Sequence, residues 1–229
     1  MADALRRTGK ALSDAGLLKT QHVFHQIAAA LKTTSSHDPK WAYEISESNP
    51  LEFTPIFNSH LNKYIRPRIY AGINVQKCFG GGVCFTRLDL ALDVLDEENV
   101  VLIKHHIDLA NSNANGFQDG PLFHLQFGGH TPHKERSLEV PLKEPRWLCI
   151  PLDVVLLCEV VVANFYPKDW EKLKQQPSWH DSILASQIFC VVPFVNELQQ
   201  KMGMSTKTLL DHLWASTIGT DYKTTGLSA

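Results

Sequence analysis

Five of the eleven histidines in this 229-residue sequence lie between residues 105 and 133: His105, His106, His124, His130 and His133. Imidazoles with a carboxylate beside them are the ligand set of zinc and non-haem iron. They also serve as general acids and bases near neutral pH. His106 and Asp108 share one parity of a strand-like run over 100–109, and His124 shares a parity with Gln126 in a second run over 122–127. If these runs are neighbouring strands, the polar side chains meet on one surface, with His130 and His133 on the adjoining loop. His105 has the opposite parity and reads as a hydrogen-bonded core histidine. No H-E-x-x-H or H-x-H motif is present, so the candidate metal set of His106, Asp108, His124, His130 and His133 depends on strand pairing. In this reading the cofactor is a transition metal such as zinc, and the chemistry is metal-assisted or acid–base hydrolysis. Otherwise no cofactor is expected.

Glu159 stands among Cys158, Val160, Val161 and Val162, where a buried carboxylate needs a cation or donors. Arg146 is the expected partner.

A second lead lies near the C-terminus. Residues 198–213 read Leu-Gln-Gln-Lys-Met-Gly-Met-Ser-Thr-Lys-Thr-Leu-Leu-Asp-His-Leu, and this stretch resembles the helix-turn-helix of bacterial DNA-binding regulators. The pattern has Gly203 closing one helix at positive φ, Met204 plugging the turn and Ser205 capping the next helix. Leu198, Met202, Leu209 and Leu213 would form the small core between the helices. The resemblance implies that Thr206, Lys207, Thr208 and Asp211 lie on or near the groove-facing part of a recognition helix, with DNA as partner. The family's small residue is Gln199 here, and Asp181, Glu197 and Asp211 outnumber Lys201 and Lys207 between 178 and 219. A rival reading uses the same residues: Leu184, Ile188, Val191, Val195, Leu198 and Met202 step by four and three, as on one long amphipathic helix kinked at Pro193 and laid on the sheet.

The bulk properties frame both leads. Formal charge is -2, so no global field favours nucleic acid or an anionic membrane. Five cysteines, an odd and widely spaced set without C-x-x-C, point to free thiols in a reducing compartment. The N-terminal residues lack the apolar run of a signal peptide, and the greasy stretch 152–165 is broken by Asp153 and Glu159, so no membrane partner is expected. The expectation is a cytoplasmic binding or regulatory protein, DNA-associated through residues 193–218 or bound to another protein. The alternative is the hydrolase of the histidine-rich face.

Residues that must position these groups follow from periodicity. From Thr86 to Asp96, Leu88, Leu90, Leu92 and Val94 alternate with Arg87, Asp89, Ala91 and Asp93, the mark of a half-buried strand. Val101, Ile103, His105, Ile107 and Leu109 alternate likewise, and the polar residues 96–99 between the two runs predict an antiparallel hairpin. Residues 41–45 and 68–78 also read as extended, with Gly80–Gly82 as a turn. Thr54-Pro55 predicts a helix through Ile65, with Phe57, Leu61 and Ile65 facing inward. The fold expected is α+β: a central antiparallel sheet of four or five strands over 41–141, preceded by an N-terminal helical arm. That arm (1–35) ends in a hinge at 33–39, and residues 36–229 form a single domain. Its C-terminal helices span 150–219. Pro151 opens one with Asp153 near its positive end and Pro167 ends it, Pro177 ends the short Trp170-containing helix that follows, and Ser178 caps the last.

Overall fold

The computed structural model describes residues 1–33, 40–76, 85–110, 112–113, 116–128, 146–203 and 206–215. The hinge expected at 33–39 and the Gly80–Gly82 turn lie, at least in part, outside them. Leu88, Leu90, Leu92 and Val94 are all buried in one long strand, Phe85–Asp96, as their alternation requires. In chain order the strands are β1 (Lys40–Ile45), β2 (Leu51–Glu52), β3 (Ile56–Asn58), β4 (Lys63–Gln76), β5 (Phe85–Asp96), β6 (Val101–Leu109), β7 (Ser112–Asn113), β8 (Gly116–Phe117), β9 (Phe123–Phe127) and β10 (Trp147–Leu148). One antiparallel sheet of eight strands runs β1-β4-β5-β6-β9-β10, with β2 and β3 also paired to β4; β7 and β8 form a separate ribbon.

The sheet is larger than the four or five strands expected because residues 54–65 are not helical. They supply β3 and the start of β4, with Ile56 opposite Ile65 and Phe57 opposite Tyr64. Asn62, at φ 50, turns the chain, and the Asn58 side chain accepts from Leu61 N at 3.0 Å. Phe57 and Leu61, expected to face inward, are 50% and 52% exposed. A hairpin with short-range polar turn bonds replaces the helix that their i, i+4 spacing imitates.

Helices α1 (Ala2–Asp14), α2 (His22–Thr33), α3 (Val154–Phe165), α4 (Pro167–Leu173), α5 (Pro177–Ser186), α6 (Val192–Gly203) and α7 (Leu209–Leu213) complete the fold, with a π-helical segment at Gln187–Val191. The apolar sheet face and the helices share one core, from Leu5 and Phe24 through Ile69, Ile73 and Leu90 to Val161, Trp179 and Leu213. Rings tie the layers together: Phe189 meets Trp41 and Phe85, and Phe194 meets Phe123 edge-on at 5.7 Å. Pro177 opens α5 at its first turn rather than ending the helix before it, and the cap position is Gln176, not Ser178. Asp153 is the N-cap of α3, so that helix begins after Pro151. Cys149, Cys158 and Cys190 are free.

Gly9 shows how closely α1 and α2 approach. A Cβ at this position would lie 2.7 Å from Phe24 Cβ, an atom too near the backbone to swing aside. Gly9→Ala is therefore expected to destabilise by about 1–3 kcal/mol, more than the ~1 kcal/mol that alanine gains in helix propensity. A lowered urea midpoint at unchanged slope would show it; a raised midpoint would contradict the close approach.

From α5 through the π segment to α6 the chain runs as one helical stretch, Pro177–Gly203, of 27 residues. By length and composition alone it is apolar enough to cross a membrane. Its buried side is Trp179, Ile183, Cys190 and Phe194. The stripe expected to lie on the sheet divides: Val191 and Leu198 pack against the core, whereas Leu184 and Ile188 are 44% and 57% exposed, and Val195 and Met202 are exposed too.

Candidate functional site

The apolar face of the sheet is covered by helices, and the opposite face carries the candidate histidine and aspartates. Register places the polar residues in rungs across the strands. Gly72 of β4 pairs with Asp89 of β5, Asp89 with Asp108 of β6, and Asp108 with His124 of β9. On the next rung Tyr70 pairs with Ala91, Ala91 with His106, and His106 with Gln126. Directly paired residues point to the same side of a sheet, so these rungs form a single surface. Gly72 and Ala91 are its smallest members, and the Arg87 guanidinium fills the space over Gly72.

Asp89, His106 and Asp108 converge on this face. One ligand atom from each lies within 4.8 Å of the other two. His106 Nε2 and Asp108 Oδ1 are both buried without a hydrogen-bond partner. Burial pushes the His106 imidazole down to about 4, with Lys104 adding to the effect, so the ring is neutral at pH 7. Burial, then the charge and hydrogen bond of Asp89, push Asp108 up to about 7, and Arg146 pulls the other way. Asp89 and Asp108 face each other across adjacent strands, and the repulsion between them adds to the effect of burial on Asp108.

His106 and Asp108 thus meet as expected on one face. Asp89 joins them, and sequence reasoning had placed it only on the wet side of β5. Its polar parity was visible; its pairing with Asp108 was not. His124 lies on the same face, paired directly with Asp108. It is buried, its Nδ1 lies 3.2 Å from Pro121 O, and it is not among the three converging groups. Burial lowers its pKa as well. His130 and His133 lie outside the described residues. His105 points to the other face, half-buried, with its ring edge-on to Phe127 at 4.9 Å.

Two arginines flank the cluster. Arg87 Nη2 lies 3.3 Å from Asp89 Oδ2, and its guanidinium lies over Gly72, where a Cβ would come within 2.5 Å of Nη2. Arg146 donates from Nη1 to Asp119 O at 2.6 Å, beside Gly120 at φ +135. It is not the partner of Glu159, which accepts instead from Trp170 Nε1 at 3.4 Å on the helical side of the molecule. The Cys149 thiol is pushed up to about 12 by burial and by Asp108, so it is not an activated nucleophile.

The C-terminal pair of helices departs from the recognition-helix geometry. α7 starts at Leu209, with Thr208 as its cap in a reciprocal box with Asp211, so Thr206 and Lys207 precede the helix rather than ride on it. Met204 and Ser205 lie outside the described residues. Gly203 is the last residue of α6 and does not take positive φ. Met202 and Leu209 are exposed instead of forming the core between two helices. α7 is held to the sheet by Leu122 N donating to Leu213 O at 2.8 Å, by Ala215 N donating to Gly120 O at 2.8 Å, and by a bridge between Pro121 and Trp214.

Chemically, an imidazole and two carboxylates at this separation can hold a divalent cation. Without one, the pair presents a carboxyl near its midpoint at neutral pH beside a neutral imidazole, an acid–base couple. Compared with known proteins, the chain matches no family model, and no curated protein or solved structure is significantly similar to it.

Proposed function

We propose that Asp89, His106 and Asp108 bind a divalent transition cation and that the protein is a metal-assisted hydrolase working on the open face of its sheet. One observation carries this reading: His106 Nε2 and Asp108 Oδ1 are buried and unpartnered in a group whose ligand atoms already lie within 4.8 Å of one another. Buried polar atoms without partners cost stability, and a cation would satisfy both at once. Ligand atoms around a four-coordinate ion sit about 3.4 Å apart, from bond lengths of about 2.1 Å, so side-chain rotations of roughly an ångström close the set. One nitrogen and two carboxylate oxygens suit zinc, manganese or ferrous iron. Three protein ligands leave a coordination position for water, the arrangement of catalytic rather than structural sites.

The test is direct. Purified protein, stripped with chelator, is titrated with Mn²⁺ and Zn²⁺ while heat and melting temperature are followed. At a hundredfold excess over Kd the expected stabilisation is about 2.7 kcal/mol. His106→Ala is expected to remove it. Absence of uptake at millimolar metal, or equal uptake by the variant, rejects the site.

A further inference from the structure

We infer that the outer side of the Pro177–Gly203 helical stretch is the contact between two copies of this chain, packed antiparallel about a two-fold axis near Pro193. The stretch is 27 residues long, and its inner side is fixed in the core by Trp179, Ile183, Cys190 and Phe194. Its outer side carries Leu184, Ile188, Val192, Val195 and Met202, all exposed. Single apolar residues scattered over a surface are ordinary. Five along the solvent side of one helical stretch form a patch, and such patches mark sites of association.

Charge, symmetry and size together name a second copy as the occupant. From Ser182 to Asn196 the sequence has no Asp, Glu, Lys, Arg or His. The charged side chains at the two ends are already paired, Asp181 with Arg7 at 3.4 Å and Glu197 with Lys201 at 2.6 Å. Two such sides meet without repulsion. An anionic lipid surface, by contrast, is held by a lysine and arginine rim that this side does not present. Because the inner side is packed in the core, lipid cannot surround the helix either. Antiparallel pairing about a two-fold axis sets residue i of one copy against residue j of the other, and j against i. Leu184 and Met202 each lie nine residues from Pro193, and Val192 and Val195 flank it. The stripe therefore reads the same from either end, with Leu184 of one copy against Met202 of the other. At 1.5 Å per residue the stretch is about 40 Å long, and a helix is about 10–12 Å across. Each copy thus covers roughly 400–500 Å² of the other, about 800–1,000 Å² in total, the low end for a specific interface. A contact of that size suits a dissociation constant of about a micromolar.

Sedimentation equilibrium of the full chain over roughly 1–200 µM brackets that constant. The 25.7 kDa chain is expected to move toward twice its mass as concentration rises. Ile188→Glu and Val195→Glu are each expected to weaken the dimer about a hundredfold or more, because each change enters a two-fold contact twice. Both positions are exposed, so the urea midpoint of the dilute monomer should hold, which separates lost pairing from lost folding. Leu184→Glu alone and Met202→Lys alone are expected to weaken the dimer, and the two together to restore it. Antiparallel pairing sets their opposite charges against each other at both ends, where parallel pairing would set like against like. A wild type that stays monomeric at about 200 µM overturns the inference. So does a dimer whose constant is unchanged in both Ile188→Glu and Val195→Glu, and failure of the double variant to restore pairing overturns the antiparallel arrangement. A monomeric wild type that binds phosphatidylcholine vesicles, with binding lost in the same glutamate variants, would name lipid as the occupant and overturn it too.

Discussion

Asp108→Asn is expected to make the metal-free protein more stable than wild type at pH 8 and to abolish its stabilisation by Mn²⁺. The Asp108 carboxyl titrates at 3.8 when unfolded and is pushed up to about 7 in the fold, first by burial and then by Asp89. Between these values the folded state keeps a proton that the unfolded state has lost. Stability therefore falls as pH rises through that window and stays low above it. The full shift corresponds to about 4 kcal/mol, and solvent relaxation at a partly open site trims this to roughly 2–4. Asparagine carries no such penalty, so the advantage of the variant should be near zero at pH 4, grow to pH 7 and then level off.

The groups facing this carboxyl are Asp89 on β5, His124 on β9, Arg146 and Cys149 beside β10, and His106 two residues back on its own strand. His106 acts in the opposite sense. Its folded value of about 4 lies below its unfolded 6.5, so its penalty appears as pH falls through that window. Taking the difference between variant and wild type cancels the histidine's share to first order. Urea unfolding at pH 4.5 and 8, with and without Mn²⁺, reads the whole pattern. Added metal should reverse the order of stability at pH 8. A variant no more stable than wild type at pH 8 without metal would contradict the buried facing pair.

Asp153→Ala should be among the most damaging single changes in the chain. This carboxylate is 1% exposed and closes two contacts: it accepts from Leu156 N at 2.9 Å and from Ser186 Oγ at 2.8 Å. It thus caps α3 and pins the end of α5 to it, with Cys190 and the buried Tyr43 alongside. Burial raises its pKa, and its helix N–H and hydroxyl donors lower it again. Alanine removes a cap worth about 1 kcal/mol and leaves a helix N–H and a buried hydroxyl without acceptors, at about 1–3 kcal/mol each. A loss of 3 kcal/mol or more is expected in urea unfolding. Asp153→Asn keeps one acceptor oxygen and should recover part of it. A loss under about 1 kcal/mol for the alanine variant would show that water replaces the carboxylate there.

The strands that carry the site were legible because a half-buried strand writes its two faces as alternation. Leu88 to Val94 against Arg87 to Asp93, and Ile107 against His106 and Asp108, needed no structure. Which residues meet across strands was not legible, because register is set by turns and bulges, such as the shift between Val94 and Leu95. That is why the place of Asp89 beside Asp108 could not be read from the chain. Residues 54–65 misled for another reason: Phe57, Leu61 and Ile65 repeat every four positions by coincidence, while Asn58 and Asn62 set a tight turn. In the Pro177–Gly203 stretch the apolar residues cover two sides, and periodicity alone selected a stripe of which Val191 and Leu198 reach the core and the rest face water.

The π segment at Gln187–Val191 has a consequence for how the chain can change in length. A π turn holds one residue more than an α-helix needs over the same rise, which is the footprint of a single-residue insertion inside a helix. Taking that residue out would let Pro177–Gly203 run as an unbroken α-helix, and everything after the segment would rotate by about 100°. Phe194 would swing off Phe123, and an exposed valine would turn toward the core in its place. The extra residue thus decides which of two apolar faces the sheet sees, and substitutions along the helix leave that choice intact where a deletion would reverse it.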